Sequence, residues 1–276
     1  MSEGYRFLEV QPLNPTIGAE VFGIDLAKLD DARFAEIERA FADHQVLVFR
    51  DQRLSPEDEL DFGRRFGELH VHPAAPALPN HPEVMIIHAD ERSKTVAGEG
   101  WHTDVSCDER PPMATILRLE TVPPSGGDTL FASMYSAYES LSEAMRQFLG
   151  GLRALHASDH VYGGRYGKTS AESRDGEFPS AVHPVIRTHP VTGRKALFVN
   201  PAFTTRILEL TREESANLLS FLYRVQQRPE HQCRVIWKPN TVTLWDNRCT
   251  HHCAIWDYFP HVRHGYRVSI VGERPF

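Results

Sequence analysis

TVTLWDNRCTHHCA, Thr241 to Ala254, opens with an alternation of β-branched and apolar residues that reads as a strand and closes on a histidine doublet. On either side lie CRVIW (Cys233 to Trp237) and RVSIVG (Arg267 to Gly272), further β-like runs. Working upstream, KALFV and HPVIRTH flank a Thr192-Gly193 turn and read as a hairpin. DTLFAS (Asp128 to Ser133), ATILRLE (Ala114 to Glu120), EVMIIH (Glu83 to His88) and VLVFR (Val46 to Arg50) complete the set of short strands. Many short strands with helices at the start and between them point to a β-sandwich or barrel with helical decoration. No strand leads into a glycine-rich phosphate loop, which argues against a dinucleotide fold.

The helices are punctuated. Asp31 to Asp43 carries Phe34, Ile37 and Phe41 on one face. Ser55 is an N-cap, Pro56 takes the first helical position, Glu57 and Asp58 fill the first turn, and Gly67 marks the end. A helical patch covers Met134 to Leu149. Thr211 and Glu214 form a capping box ahead of Leu218, Leu219 and Leu222. The stretch His160 to Ser180, rich in Gly, Ser and charge, reads as a mobile loop long enough to act as a lid.

The chain of 276 residues is 41% apolar, enough for a substantial core. Its 30 basic and 37 acidic residues leave a formal charge of −7, which gives no support for nucleic acid or an anionic membrane as main partner. No apolar run reaches the roughly 18 residues of a membrane span. MSEGYRFLEV lacks the basic and apolar regions of a signal peptide, so the default expectation is a soluble cytoplasmic protein. The cysteines Cys107, Cys233, Cys249 and Cys253 are then expected as free thiols.

Fifteen histidines invite a search for a metal site. In WHTDV, His102 and Asp104 sit two apart and, on a strand, project from one face. A second histidine from elsewhere would complete a facial triad with three open positions on an octahedral ferrous ion. The bland alternative is a surface His beside a solvated Asp. In THHCA only one of His251 and His252 can point inward, and spacing alone does not say which. A zinc site from Cys249, His251, His252 and Cys253 is a further reading, weakened by the lack of a second, separated ligand pair. Arg263 and Arg267, four apart, share a face of a strand and suit bidentate binding of carboxylate or sulfonate, though two surface arginines would look the same. Thr129 offers a hydroxyl able to share a carboxylate with an arginine.

HxD, a Thr about 25 residues on, a distant His and an Arg about 11 residues beyond it appear here as His102, Asp104, Thr129, His252 and Arg263. In that order the chain resembles the taurine dioxygenase-like group of Fe(II), 2-oxoglutarate-dependent dioxygenases. IGAEVFGIDL, FGELHVHP, PPSGGDTLF, HPVIRTHPVTGRKALFVN, FTTRI and WDNRCTHH extend the likeness over nearly the whole chain. The resemblance implies a mainly β fold, a double-stranded β-helix (jelly roll) with flanking α-helices, in one domain over residues 1–276 with a lid insert around 155–182. It implies His102, Asp104 and His252 as metal ligands and catalytic centre, with His251 facing outward. Thr129 and Arg263 would hold 2-oxoglutarate. Arg267 would meet the anionic group of the primary substrate, in a pocket lined by His72, Val105, Tyr162 and Phe203.

The reaction implied consumes O2 and 2-oxoglutarate, yields succinate and CO2, and hydroxylates a small organic anion next to a heteroatom. This sequence departs from the taurine enzymes in having Ala75 where they carry a Tyr, Gly98 where they carry an Asn, and Tyr162 for the lid Phe. A roomier pocket leans toward sulfate esters or aryloxyalkanoates rather than taurine itself. The resemblance also implies a homo-oligomer, a dimer or tetramer. Competing readings are a non-catalytic metal-binding jelly-roll sensor, a zinc hydrolase on the same triad, and a dioxygenase for another carboxylate or an amino-acid-like substrate.

Overall fold

Val46 and Val48 point to one side of their strand and Leu47 and Phe49 to the other, yet all four are fully buried. That strand must therefore lie between two apolar layers. The computed structural model, which describes residues 4–72, 75–163 and 178–276, shows how. A nine-stranded sheet runs in the order Glu9–Pro12, Ala19–Phe22, Val46–Phe49, Thr241–Asp246, Ala114–Thr121, Arg263–Ile270, His81–Ala89 and Ala77–Leu78. Leu69–His70 pairs alongside the last turn of Arg263–Ile270. The pairings are antiparallel, except between Ala19–Phe22 and Val46–Phe49.

Against one face of this sheet lies a three-stranded sheet, Gln232–Val235, Thr129–Ser133 and Thr250–Ala254. Val46, Val48, Leu117, Leu119 and Trp245 from the large sheet meet Phe131 and Val235 of the small one there, with Trp237 just beyond its end, in one buried cluster. On the other face Leu47, Phe49, Ile116, Leu244 and Ile270 pack under Phe34, Ile37 and Phe41 of the helix Asp31–His44 and Phe62 of the helix Pro56–Arg64. Each such side chain taken from water contributes roughly 1.5–3 kcal/mol. Two facing sheets wrapped by helices make the expected double-stranded β-helix, with helices outside.

The caps read from sequence are present. Ser55 and Asp58 exchange hydrogen bonds in a capping box, and so do Thr211 and Glu214 at the start of the helix Arg212–Gln226. The hairpin forms as Ile186–Thr188 against Lys195–Leu197. The patch expected as one helix from 134 to 149 is two, Met134–Glu139 and Glu143–Leu149, because Ser142 turns out of the helix to cap the second. Most of the expected lid, residues 164–177, lies outside the described residues. Among the described residues no helix is long and apolar enough to cross a membrane.

The strand Arg263–Ile270 decides where the site lies. It is hydrogen-bonded on both edges, to Ala114–Thr121 and to His81–Ala89. Its register shifts at His264/Gly265, where a Cβ on Gly265 would lie 2.0 Å from the carbonyl oxygen of Arg118. Only glycine allows that approach. The strand then carries Arg263 and Arg267 into the space between the sheets.

Candidate active site

The two candidate histidines are joined by their own backbones. His102 N–H donates to His252 O at 3.0 Å and His252 N–H to His102 O at 2.7 Å, an isolated antiparallel bridge. On its other edge His252 is held opposite Phe131 in the strand Thr250–Ala254. The expectation of a strand through WHTDV is corrected here. Only His102 is extended, and Asp104 sits in a turn that continues with Val105 at φ 45°. The turn is fixed from a distance. Thr103 Oγ1 donates to Asn247 O at 2.8 Å, and Asn247 Oδ1 accepts from the indole of Trp245 at 2.9 Å.

Side-chain directions follow. His102 Nδ1 lies 2.9 Å from Gly100 O. A carbonyl can only accept, so Nδ1 carries the proton and the Nε2 lone pair faces inward. Asp104 Oδ2 accepts from Thr115 Oγ1 at 2.7 Å, and Thr115 is held in turn by Asn247 Nδ2 at 2.9 Å. That leaves Asp104 Oδ1 pointing at both imidazoles, 3.8 Å from His102 Nε2 and 3.7 Å from His252 Nε2. One donor atom from each of the three lies within 4.8 Å of the others. The His252 ring is walled by Trp245 and Phe131, with centroids 4.9 and 5.8 Å away.

Burial pulls the Asp104 carboxyl up, but Arg267, whose Nη1 is 3.1 Å from Oδ1, reverses this together with the imidazoles and holds it well below the usual carboxylate range. Burial also holds the His252 imidazole well below its ordinary pKa. Two imidazoles and one carboxylate on one side of a common point fit a divalent first-row transition ion with open positions.

Among the described residues one other group of donors comes as close, His189, Asp246 and Cys249. It is already satisfied. Asp246 binds Arg248 Nη2 at 2.7 Å and His189 Nε2 at 3.0 Å, and His189 Nδ1 accepts backbone N–H groups of Val191 and Thr192. The zinc reading fails on geometry: Cys249, His251, His252 and Cys253 do not converge among the described residues. His251 pairs with Ala132 one step from His252, so its ring enters the opposite layer, buried and with no partner on either nitrogen.

A narrow cleft runs from His102 and His252 past Leu117 and Thr129 to Arg263. Arg263 is 5% exposed, donates from Nε to Gly127 O at 3.1 Å, and leaves a buried Nη2 without a partner. A guanidinium buried in that state asks for an anion. Gly127, at φ +70°, is required: a Cβ would lie 3.0 Å from Pro123 and 3.1 Å from the Tyr258 ring. Sequence reasoning missed Trp237, whose indole N–H donates to Thr129 Oγ1 at 3.0 Å and whose ring lies 5.5 Å from the Arg263 guanidinium carbon. In CRVIW nothing but strand periodicity was visible. Thr115 and Asn247 were missed likewise, since their contacts to Asp104 form only in the fold.

A second pocket opens on the other side of the donors. His72, Val105, Tyr162, Phe203 and Arg267 all line it with His102 and Asp104, so the structure brings every residue expected there together. Tyr162 and Phe203 meet edge to face at 6.0 Å and pack with Val105, Cys107 and Val161. His72 Nδ1 accepts from Ala75 N–H at 3.0 Å, which puts the ring proton on Nε2. Burial, with Arg267 nearby, lowers the His72 pKa to about 3, so the ring is neutral. Val105, Val161, Tyr162, Ala202 and Phe203 give the pocket an apolar wall, and His72, Glu99 and Arg267 are polar groups around it.

The profile of the family described as "Taurine catabolism dioxygenase TauD, TfdA family" matches residues 9–269. An alpha-ketoglutarate-dependent sulfonate dioxygenase of Saccharomyces cerevisiae is 37% identical over 97% of this chain and 68% of its own length. An alkylsulfatase of Acinetobacter baylyi is 34% identical over 96% of this chain and 86% of its own. Among solved structures, a putative alpha-ketoglutarate-dependent taurine dioxygenase from Burkholderia xenovorans superposes with a TM-score of 0.85 at 37% identity, covering 97% of this chain and 94% of that one.

Proposed function

The chain belongs to the taurine catabolism dioxygenase TauD/TfdA family and is a 2-oxoglutarate-dependent dioxygenase; from that premise we propose that His102, Asp104 and His252 hold ferrous iron and that its primary substrate is a small organic anion with an apolar body. The observation that carries the reading is one cleft with His102 and His252 of the converging donor set at one end and, at the other, the Arg263 guanidinium with its buried Nη2 lacking a partner. Bound there, the iron supplies the coupling of O2 reduction and 2-oxoglutarate decarboxylation, with succinate and CO2 released, to insertion of oxygen into a C–H bond.

The protein's part is placement. Arg263 and the Thr129 hydroxyl take the distal carboxylate of 2-oxoglutarate, so the keto-acid end reaches the donors. Arg267 and the Nε2–H of His72 take the anionic end of the substrate. Val105, Tyr162 and Phe203 grip its carbon chain and exclude water. A C–H bond next to the heteroatom is thereby held closest to the triad. Hydroxylation at that carbon gives a product that expels sulfite, sulfate or a phenol. Sulfonates, sulfate esters and aryloxyalkanoates share this chemistry, and the apolar wall favours those with a longer alkyl or aryl body.

The reading treats residues 1–276 as one catalytic domain, working in the cytoplasm as a dimer or tetramer. The four cysteines, all unpaired, suit a reducing compartment. The test is succinate release from 2-oxoglutarate with Fe(II) and ascorbate across alkanesulfonates, alkyl sulfates and aryloxyalkanoates. One class should stimulate turnover and release its heteroatom group. Unchanged 2-oxoglutarate throughout, with and without added anion, overturns the reading in favour of a metal-binding module.

A further inference from the structure

Arg267 and the metal site lay claim to one oxygen atom. Asp104 has two carboxylate oxygens with separate duties. Oδ2 is taken by Thr115 Oγ1 at 2.7 Å. Oδ1 faces the common point of the triad, 3.7 and 3.8 Å from the two imidazole Nε2 atoms, and it is this oxygen that Arg267 Nη1 approaches at 3.1 Å. The remaining contacts of Arg267 are slight: Nε and Nη2 each lie 3.4 Å from Ser269 Oγ, at the outer limit of a hydrogen bond. The guanidinium also lines the pocket with His72, Tyr162 and Phe203. It therefore stands between an internal carboxylate and the place where we have put the substrate anion.

We propose that Arg267 is a charge-coupling residue: its guanidinium competes with the metal ion for Asp104 Oδ1, and an anion in the pocket relieves that competition by giving Arg267 another partner. The inference rests on the ligand and substrate roles assigned above. Two cations sharing one oxygen oppose each other, strongly so where both are shielded from water. An anion that draws the guanidinium toward Ser269 and the pocket returns the full charge of Oδ1 to the metal. Metal and substrate anion then bind with positive cooperativity, and linkage makes the effect reciprocal.

The experiment uses Mn(II) as probe, with no 2-oxoglutarate, so that no turnover is involved. Free Mn(II) is followed by electron paramagnetic resonance in the wild type, Arg267→Met and Arg267→Lys, with and without saturating hexyl sulfate, hexanesulfonate or 2-phenoxypropionate. Methionine keeps the length and apolar stem of Arg267 without its charge. In the absence of anion Arg267→Met should bind Mn(II) at least tenfold more tightly than the wild type, and Arg267→Lys should fall between them. In the wild type an anion that binds should tighten Mn(II) about tenfold, and Mn(II) should tighten that anion by the same factor. In Arg267→Met the anion should change Mn(II) affinity less than twofold.

A merely structural role predicts the opposite sign, because loss of the ion pair would leave Asp104 less well held and Mn(II) weaker. Equal or weaker Mn(II) binding in both variants overturns the coupling, and so does a wild type indifferent to an anion it binds. If no anion binds at all, the substrate reading fails, and the variants alone still decide the competition. If Asp104→Asn binds Mn(II) as the wild type does, the triad assignment is at fault instead.

Discussion

Replacing Trp237 by phenylalanine should weaken 2-oxoglutarate about fivefold while leaving the three donors, Thr129 and both arginines in the chain. The indole N–H is a donor only and reaches Thr129 Oγ1 at 3.0 Å, so the hydroxyl must accept from it and turn its own proton elsewhere. Thr129 is 4% exposed and lines the cleft, where the open direction is toward Arg263. A hydroxyl aimed at a carboxylate contributes roughly 1.5–3 kcal/mol. Thr129→Val deletes it, and a loss of about 2 kcal/mol corresponds to about 30-fold. Trp237→Phe keeps the hydroxyl and loses only its aim, about 1 kcal/mol or fivefold. The assay is anaerobic calorimetric titration of 2-oxoglutarate into Mn(II)-loaded protein for both single variants and the double variant. If Trp237 acts through Thr129, the double variant should be no worse than Thr129→Val alone. Fully additive losses would refute the reasoning, and would place the effect of Trp237 in the face it turns to Arg263, 5.5 Å away.

Further outcomes can be stated. His251→Leu should retain Mn(II) binding and gain about 1 kcal/mol of stability, since His251 is buried with both ring nitrogens unpartnered; His252→Leu should lose Mn(II), and the reverse pattern in a binding titration would reassign the ligand. Arg263→Ala should raise the KM for 2-oxoglutarate far more than that for the primary anion, and Arg267→Ala the other way round, as read from initial rates with each varied in turn; swapped effects would reverse the two roles. The metal-free protein should lose stability between pH 7 and 5.5, seen as a lower urea midpoint, and a flat profile would contradict it. Burial lowers the pKa of His251 and His72 to about 3, of His183 to about 4, and of His156 and His252 well below the ordinary value, and these outnumber Glu59, which burial raises to about 8 with the opposite effect. The sign follows: an imidazole whose folded pKa is depressed stabilises above the unfolded value near 6.5, and that stability drains away on acidification as the unfolded chain takes up protons the fold refuses, about 1 kcal/mol each over this interval.

Local chemistry made the helix starts legible. The Ser55 cap and the Thr211–Glu214 box are each complete within four residues, and both are in place; the structure adds the reciprocal bond from Asp58 that makes the Ser55 cap a box as well. The β-branched runs were legible for the same reason, since alternation is a property of the run itself. WHTDV was not, because its conformation is imposed by Asn247, 144 residues from Thr103. The spacing of His102 and Asp104 pointed to a shared strand face, and the two side chains converge through a different local geometry. The choice between His251 and His252 was open on spacing and closed only by the family pattern, which the bridge to His102 explains. Trp237 carried no sign of its role, because an indole in an apolar strand looks the same whether or not its N–H has a partner.

The histidine doublet has a bearing on how the chain finds its fold. THHCA offers two imidazoles in succession, so a strand that zipped up one residue out of step would present the neighbour to the same centre. The amides would pair as well as before, but every side chain of Thr250–Ala254 would change faces, and Thr250, His251 and His252, all buried, would each enter the wrong layer. Misalignment is therefore penalised at the very spot where it would do harm, before any metal arrives to judge it. The doublet can persist in the sequence because burial on both faces of the strand, and not the ion, chooses between its members.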